Sequence, residues 1–110
     1  MHPRRGEVWW VSFDTSAGGE IRKTRPAIVL SNNAANAALN RVIVVPLTSQ
    51  REKLYPGEAM VMFNGEQSKA KADQIATASK QRLRSKAGSL SSADLAAVEK
   101  AVLLQLGIRR

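Results

Sequence analysis

Residues 23–32 read KTRPAIVLSN. Two cations flank a threonine, the second cation is followed at once by proline, and an apolar run from Ala27 to Leu30 then stops at Ser31-Asn32. An apolar stretch of this length, ended by turn-forming residues, reads as a buried strand. Pro26 fixes its own φ and so holds the first residue of the strand rigidly. Arg25 then belongs to the strand's exposed end, where a rigid backbone presents a fixed charge.

The same pattern extends in both directions. EVWWVSF at 7–13 alternates as a strand with Val8, Trp10 and Ser12 on one side and Trp9, Val11 and Phe13 on the other; both faces are apolar, which places it inside a curled sheet. RVIVVPLT at 41–48 is a second β-branched run, with Pro46 expected at a bulge or edge. AMVMF at 59–63, AKADQIAT at 70–77 and QRLRSKAG at 81–88 read as further short strands, and Asn64-Gly65 favours a tight hairpin. Two polar loops, DTSAGGEIRKT at 14–24 and SQREKLYPGE at 49–58, are long enough to carry function.

Helical signals are few. NNAANAAL at 32–39 predicts one short helix. In the tail, Leu95, Val98, Val102 and Leu106 recur at helical spacing as a packing stripe, with Ser91 as N-cap, Asp94 in the first turn and Gly107 as C-cap. The expected fold is therefore mainly β (α+β): a small curled sheet or barrel with a C-terminal helix, forming a single domain over 1–110.

Composition narrows the function. With 17 Lys+Arg against 9 Asp+Glu the net charge is +8, and a polyanion is the first partner to consider. The absence of cysteine excludes disulfides, thiolate nucleophiles and cysteine-based metal sites. The one histidine, His2, excludes a histidine-pair ribonuclease mechanism and a histidine metal cluster. No acidic spacing resembles a calcium loop, so metal-free chemistry without a cofactor, or no chemistry, is expected. No apolar run is long enough to span a bilayer and the N-terminus lacks secretion-signal features, which points to a cytoplasmic protein.

Three polar clusters compete as sites: Glu20, Arg22, Lys23 and Arg25; Thr48, Ser49, Gln50, Arg51 and Lys53; and Lys69, Lys71, Asp73 and Gln74. Lys69, Lys71, Asp73 and Gln74 alternate along one strand and its end, so Lys69, Lys71 and Asp73 are expected to face the same way, as an acid/base pair or only a salt bridge. Adjacent Trp9 and Trp10 must face opposite ways and read as core rather than as stacking platforms.

In order and spacing, RRGEVWWVSFD, GGEIRKTRPAIVLSN, VIVVPLTSQ, YPGE, KADQIATASKQRL and the closing helix together resemble the MazF/PemK (Kid-like) family of toxin–antitoxin ribonucleases. The combination of RPAIVLSN, VPLTS and DQI is the specific part. The resemblance implies an SH3-like β-barrel with a C-terminal helix, a homodimer whose groove binds single-stranded RNA, metal-independent cleavage at short sequence motifs, and inhibition by a cognate antitoxin that threads a disordered segment into that groove. The family's RP arginine falls on Arg25 and the threonine ending the next long strand on Thr48, followed by Ser49. In some relatives the catalytic pair falls on Lys71 and Asp73; in one branch a loop histidine precedes the glutamate that aligns with Glu20, where this chain has Gly19.

Metal-free RNA cleavage uses the substrate's 2′-hydroxyl as nucleophile and needs a base, a cation for the phosphorane charge and an acid for the leaving oxygen. A guanidinium is a poor proton acceptor, so Arg25 is read as electrostatic stabiliser, Thr48 as a donor to the phosphate, and either Glu20 or Asp73 as base. Arg22, Lys23, Arg51, Lys53, Lys69 and Lys71 are candidates for phosphate contacts, with Ser49, Gln74 and the only tyrosine, Tyr55, for RNA contacts. Two readings without catalysis stand beside this one: a DNA gyrase poison resembling CcdB, and a plain SH3-like nucleic-acid-binding module.

Overall fold

Seven strands and one long helix make up most of a computed structural model that describes residues 2–13, 23–49 and 53–109. The strands are β1 (Glu7–Phe13), β2 (Lys23–Val29), β3 (Arg41–Thr48), β4 (Glu58–Phe63), β5 (Glu66–Lys71), β6 (Ala76–Ser79) and β7 (Leu83–Ser89). The helices are α1 (Asn33–Ala38) and α2 (Ser92–Leu106), and 3₁₀ turns occupy Ala72–Gln74 and Lys80–Arg82. All pairings are antiparallel along the path β4-β5-β3-β2-β1-β7, with β6 also on β3.

The two-sided apolar strands produce two cores. Val8, Ile28, Val45 and Leu47 face α2, whose Val98, Ala101 and Val102 complete that cluster. On the other face Val11, Ala27, Val29, Val42, Val44 and Ala78 pack together, with Trp9 and Phe13 against them. Trp9 and Trp10 thus do face opposite ways. Trp9 donates its indole N–H to Glu7 Oε1 at 2.9 Å. Trp10 meets Phe63 edge-on, with ring centroids 6.3 Å apart.

The barrel is curled but not closed. No ladder joins β4 to β7 among the described residues; the β4–β5 hairpin instead reaches across with side chains, Phe63 toward Trp10 and Asn64 toward Gly88. Both central residues of that hairpin have positive φ, 53° at Asn64 and 77° at Gly65, as a two-residue turn with right-handed twist requires.

Helix α2 begins where the caps predicted: Ser91 Oγ accepts from Asp94 N, and Gly107, with φ 73°, donates back to Leu103 and Leu104. Its stripe is revised at one end, for Leu106 is 54% exposed while Ala101 is buried. Among the described residues no helix is long and apolar enough to cross a membrane.

Two strand expectations change. AKADQIAT is not one strand: β5 ends at Lys71, a 3₁₀ turn holds Ala72–Gln74, and β6 restarts at Ala76. Pro46 lies at neither edge nor bulge but inside β3, which has neighbours on both sides. Its tolerance has a local reason. On one side β3 pairs with β6 over Arg41–Val44 and with β5 over Leu47–Thr48, so Val45 and Pro46 fall in the gap where one neighbour gives way to the other.

Candidate nucleic-acid interface

Pro26 does to the β2–β3 ladder what Pro46 avoids. β2 pairs with β1 from Lys23 to Ile28, but with β3 only over Ala27–Val29. The bond from Leu30 N to Ile43 O sets the phase of the ladder, and the alternation makes Pro26 opposite Leu47 the next position that needs a donor. Proline has none, so the ladder ends. Extending the register puts Arg25 opposite Thr48 across the resulting opening.

That opening is a slot of about 580 Å³. Arg25, Pro26, Leu47, Thr48 and Ser49 line it, together with Trp10, Phe63, Asn64, Glu66 and Ser68. Arg25 is half-buried and no carboxylate pairs with it among the described residues. A guanidinium left unpaired beside hydroxyl side chains is suited to a phosphate, which it can grip with two parallel N–H donors.

A second cavity, about 770 Å³, lies under the Tyr55–Gly57 turn and is lined by Lys53, Tyr55, Glu58, Lys69, Lys71 and Asp73 among others. Its charges are arranged differently. Glu58 is 9% exposed and accepts from Lys71 Nζ at 2.8 Å and Tyr55 N at 2.9 Å, with Lys69 Nζ 3.3 Å away. The Lys71 bond, then the Tyr55 N–H, hold the Glu58 carboxyl down to about 2 against the opposing pull of burial. Reciprocally, the bond to Glu58 raises Lys71 above the usual lysine value. Lys69 also donates to Lys53 O at 2.6 Å, and Gly57 O accepts from Ala72 N, so this network ties the 53–58 segment to β5. Asp73 Oδ1 stands 4.0 Å from Lys71 Nζ, and Lys53 Nζ lies 5.4 Å from the centre of the exposed Tyr55 ring.

Comparison with known proteins agrees with this architecture. Residues 4–106 match the family described as PemK-like, MazF-like toxin of type II toxin–antitoxin system. The chain belongs to that family. It is 39% identical to endoribonuclease MazF9 of Mycobacterium tuberculosis, covering 96% of this chain and 97% of the relative. It is 31% identical to endoribonuclease toxin MazF of Escherichia coli K12, covering 96% and 95%. Among solved structures, a mycobacterial endoribonuclease in complex with its cognate antitoxin superposes with a TM-score of 0.81 at 27% identity over 98% of both chains. A MazE–MazF structure from Deinococcus radiodurans gives 0.82 at 28% identity over 97% of both.

The candidate residues of this family member divide between the two cavities. Arg25, Thr48 and Ser49 share the slot, whereas Lys53, Tyr55, Lys69, Lys71 and Asp73 share the second cavity. Asp73 reaches Lys71 from the 3₁₀ turn rather than from a shared strand face, and Gln74 is exposed on the same turn. The reading of Lys69 as a phosphate ligand is revised: it is 6% exposed and its ammonium is engaged by Glu58 and Lys53 O. Glu20, Arg22 and Arg51 lie outside the described residues, as does the side chain of Lys23.

Sequence reasoning missed Glu58, Trp10, Phe63 and Glu66. For Glu58 a signal existed. A two-residue turn at Asn64-Gly65 pairs Phe63 with Glu66, and counting back along both strands pairs Glu58 with Lys71, as observed.

Proposed function

We propose that this family member is an endoribonuclease toxin that cuts single-stranded RNA at the Arg25–Thr48 slot without metal or other cofactor. The observation that carries the reading is the position of Arg25, at the end of an interrupted ladder, opposite Thr48 in the continued register and with no carboxylate paired to it among the described residues. RNA binds with a phosphate on the Arg25 guanidinium and the Thr48 hydroxyl. A base takes the proton of the adjacent 2′-hydroxyl, whose oxygen attacks phosphorus; the bond to the 5′-oxygen breaks, and that oxygen leaves with a proton from an acid. The products are a 2′,3′-cyclic phosphate and a free 5′-hydroxyl. Arg25 stabilises the charge that grows on the phosphorane oxygens.

Glu20 and Asp73 are the two candidates for the base. Lys71, held protonated by Glu58, acts as a fixed cation toward the RNA backbone rather than as a proton acceptor. Lys53, Tyr55 and Lys71 continue the RNA path across the second cavity. The toxin works in the cytoplasm as a homodimer and is silenced by a cognate antitoxin whose disordered segment occupies the same groove; that relatives were solved in complex with an antitoxin supports the antitoxin as partner. Incubating the protein with a long RNA in EDTA and mapping the ends tests the reading: cyclic phosphates at recurrent positions support it, and intact RNA at high protein concentration refutes it.

A further inference from the structure

The slot contains more than phosphate chemistry requires. Beyond Arg25 and Thr48 it holds two half-buried aromatic rings, Trp10 and Phe63, and the carboxylate of Glu66 at the end of the β4–β5 hairpin. Glu66 is exposed and its carboxylate makes no hydrogen bond or ion pair among the described residues. A lone carboxylate repels a phosphate backbone, so it weakens general RNA affinity in a chain of net charge +8. Its placement in the same cavity as Arg25 is accounted for by a ligand that carries hydrogen-bond donors.

Position along the strand says which part of the RNA it meets. Thr48 pairs with Lys69 on β5, and Glu66 lies three residues before Lys69, roughly 10 Å along the strand at about 3.3 Å per residue. That offset places Glu66 further along the slot than a phosphate resting on Arg25 and Thr48. It suits a base extended from the adjoining ribose into the slot. The volume, about 580 Å³, lies in the range of small-ligand sites. Aromatic walls with a polar rim are how proteins hold unstacked single-stranded bases.

We infer that the Trp10–Phe63–Glu66 end of the slot is a nucleobase subsite, in which Phe63 and Trp10 contact the ring and Glu66 accepts from an exocyclic amino N–H of the base next to the cut. Carboxylates select donor edges, such as the N4 amine of cytosine, so the subsite favours a base with an exocyclic amine and disfavours uracil. The inference rests on the ribonuclease reading and specifies part of its sequence choice.

The test uses a short RNA containing one mapped cut, in which each amino-bearing base in turn is replaced by its analogue lacking the amine. Wild-type protein is expected to lose about tenfold in kcat/KM at one position flanking the cut, as loss of one base contact does. Glu66→Gln is expected to show no more than about a twofold difference between the same two substrates, because an amide offers both donor and acceptor. Equal discrimination by wild type and variant at every position overturns the subsite while leaving the ribonuclease reading intact. So does a Glu66→Gln variant that is slower by the same factor on every substrate, which would make Glu66 part of the chemistry. A wild-type protein that neither cuts nor binds RNA overturns both.

Discussion

The two cavities hold the same kinds of side chain and use them in opposite ways. In the slot, Arg25 faces hydroxyl side chains with no carboxylate paired to it among the described residues. Under the Tyr55 turn, Lys69 and Lys71 are both spent on Glu58. A cation near a groove is therefore not by itself a ligand for RNA; what matters is whether the protein has already satisfied it. The slot keeps charge available for a substrate, and the second cavity uses charge to fasten a loop to a strand.

Removing the available charge gives the largest effect. Arg25→Ala is expected to lower single-turnover RNA cleavage by about 10³-fold, the upper range for losing one preorganised charge-stabilising donor. The circular dichroism spectrum and melting temperature should stay near wild type, since no ion pair among the described residues is broken. Cleavage at wild-type rate would remove Arg25 from the reaction and erase the contrast between the cavities.

The reverse pattern is expected at Glu58. Glu58→Ala leaves two lysines beside a cavity without their anion, and leaving such part-buried donors unsatisfied costs about 1–3 kcal/mol. Urea denaturation should show that loss. A variant as stable as wild type would mean that the network under the Tyr55 turn does not fasten the 53–58 segment.

The same carboxylate makes stability depend on acid. Glu58 falls from 4.5 unfolded to about 2 folded, so folding favours its ionised form. Its contribution is complete above about pH 4.5 and is lost as pH falls toward 2. The wild-type unfolding free energy should decline through that window more steeply than that of Glu58→Gln, which has no proton to bind there. Parallel curves would show that the side chain is not held as described.

Much of this contrast was within reach of the sequence, and the rest had definite reasons for being hidden. The strand at 7–13, both cap residues of α2 and the Asn64-Gly65 turn follow from local chemistry, because each is decided by a few neighbouring residues. Arg25 and Thr48 were nameable through the family resemblance, whose RP arginine and strand-ending threonine fall on them. The break at Ala72–Gln74 was not readable, since alternating small and polar residues continue through it and the turn is fixed by β5 and β6 meeting different stretches of β3. Trp10 was assigned to core with Trp9 because an adjacent pair on a strand must face opposite ways. Only the open end of the barrel, where β4 and β7 do not pair, leaves it half-buried beside Phe63.

The smallest effect discriminates most finely between a satisfied cation and an available one. Lys69 and Lys71 differ by two positions and share Glu58, yet their side chains are 8% and 23% exposed. Lys71 can therefore face RNA while bonded to Glu58, and Lys69 cannot. For single strands each phosphate contact contributes about 0.7 to the slope of log affinity against log salt. Using Arg25→Ala as the background to prevent cleavage, Lys71→Met should flatten that slope by about 0.7. Lys69→Met should leave it unchanged while lowering stability, because the Glu58 and Lys53 contacts disappear. Equal flattening by both substitutions would mean that RNA draws Lys69 out of its site, and the distinction between the two cavities would then hold only for the free protein.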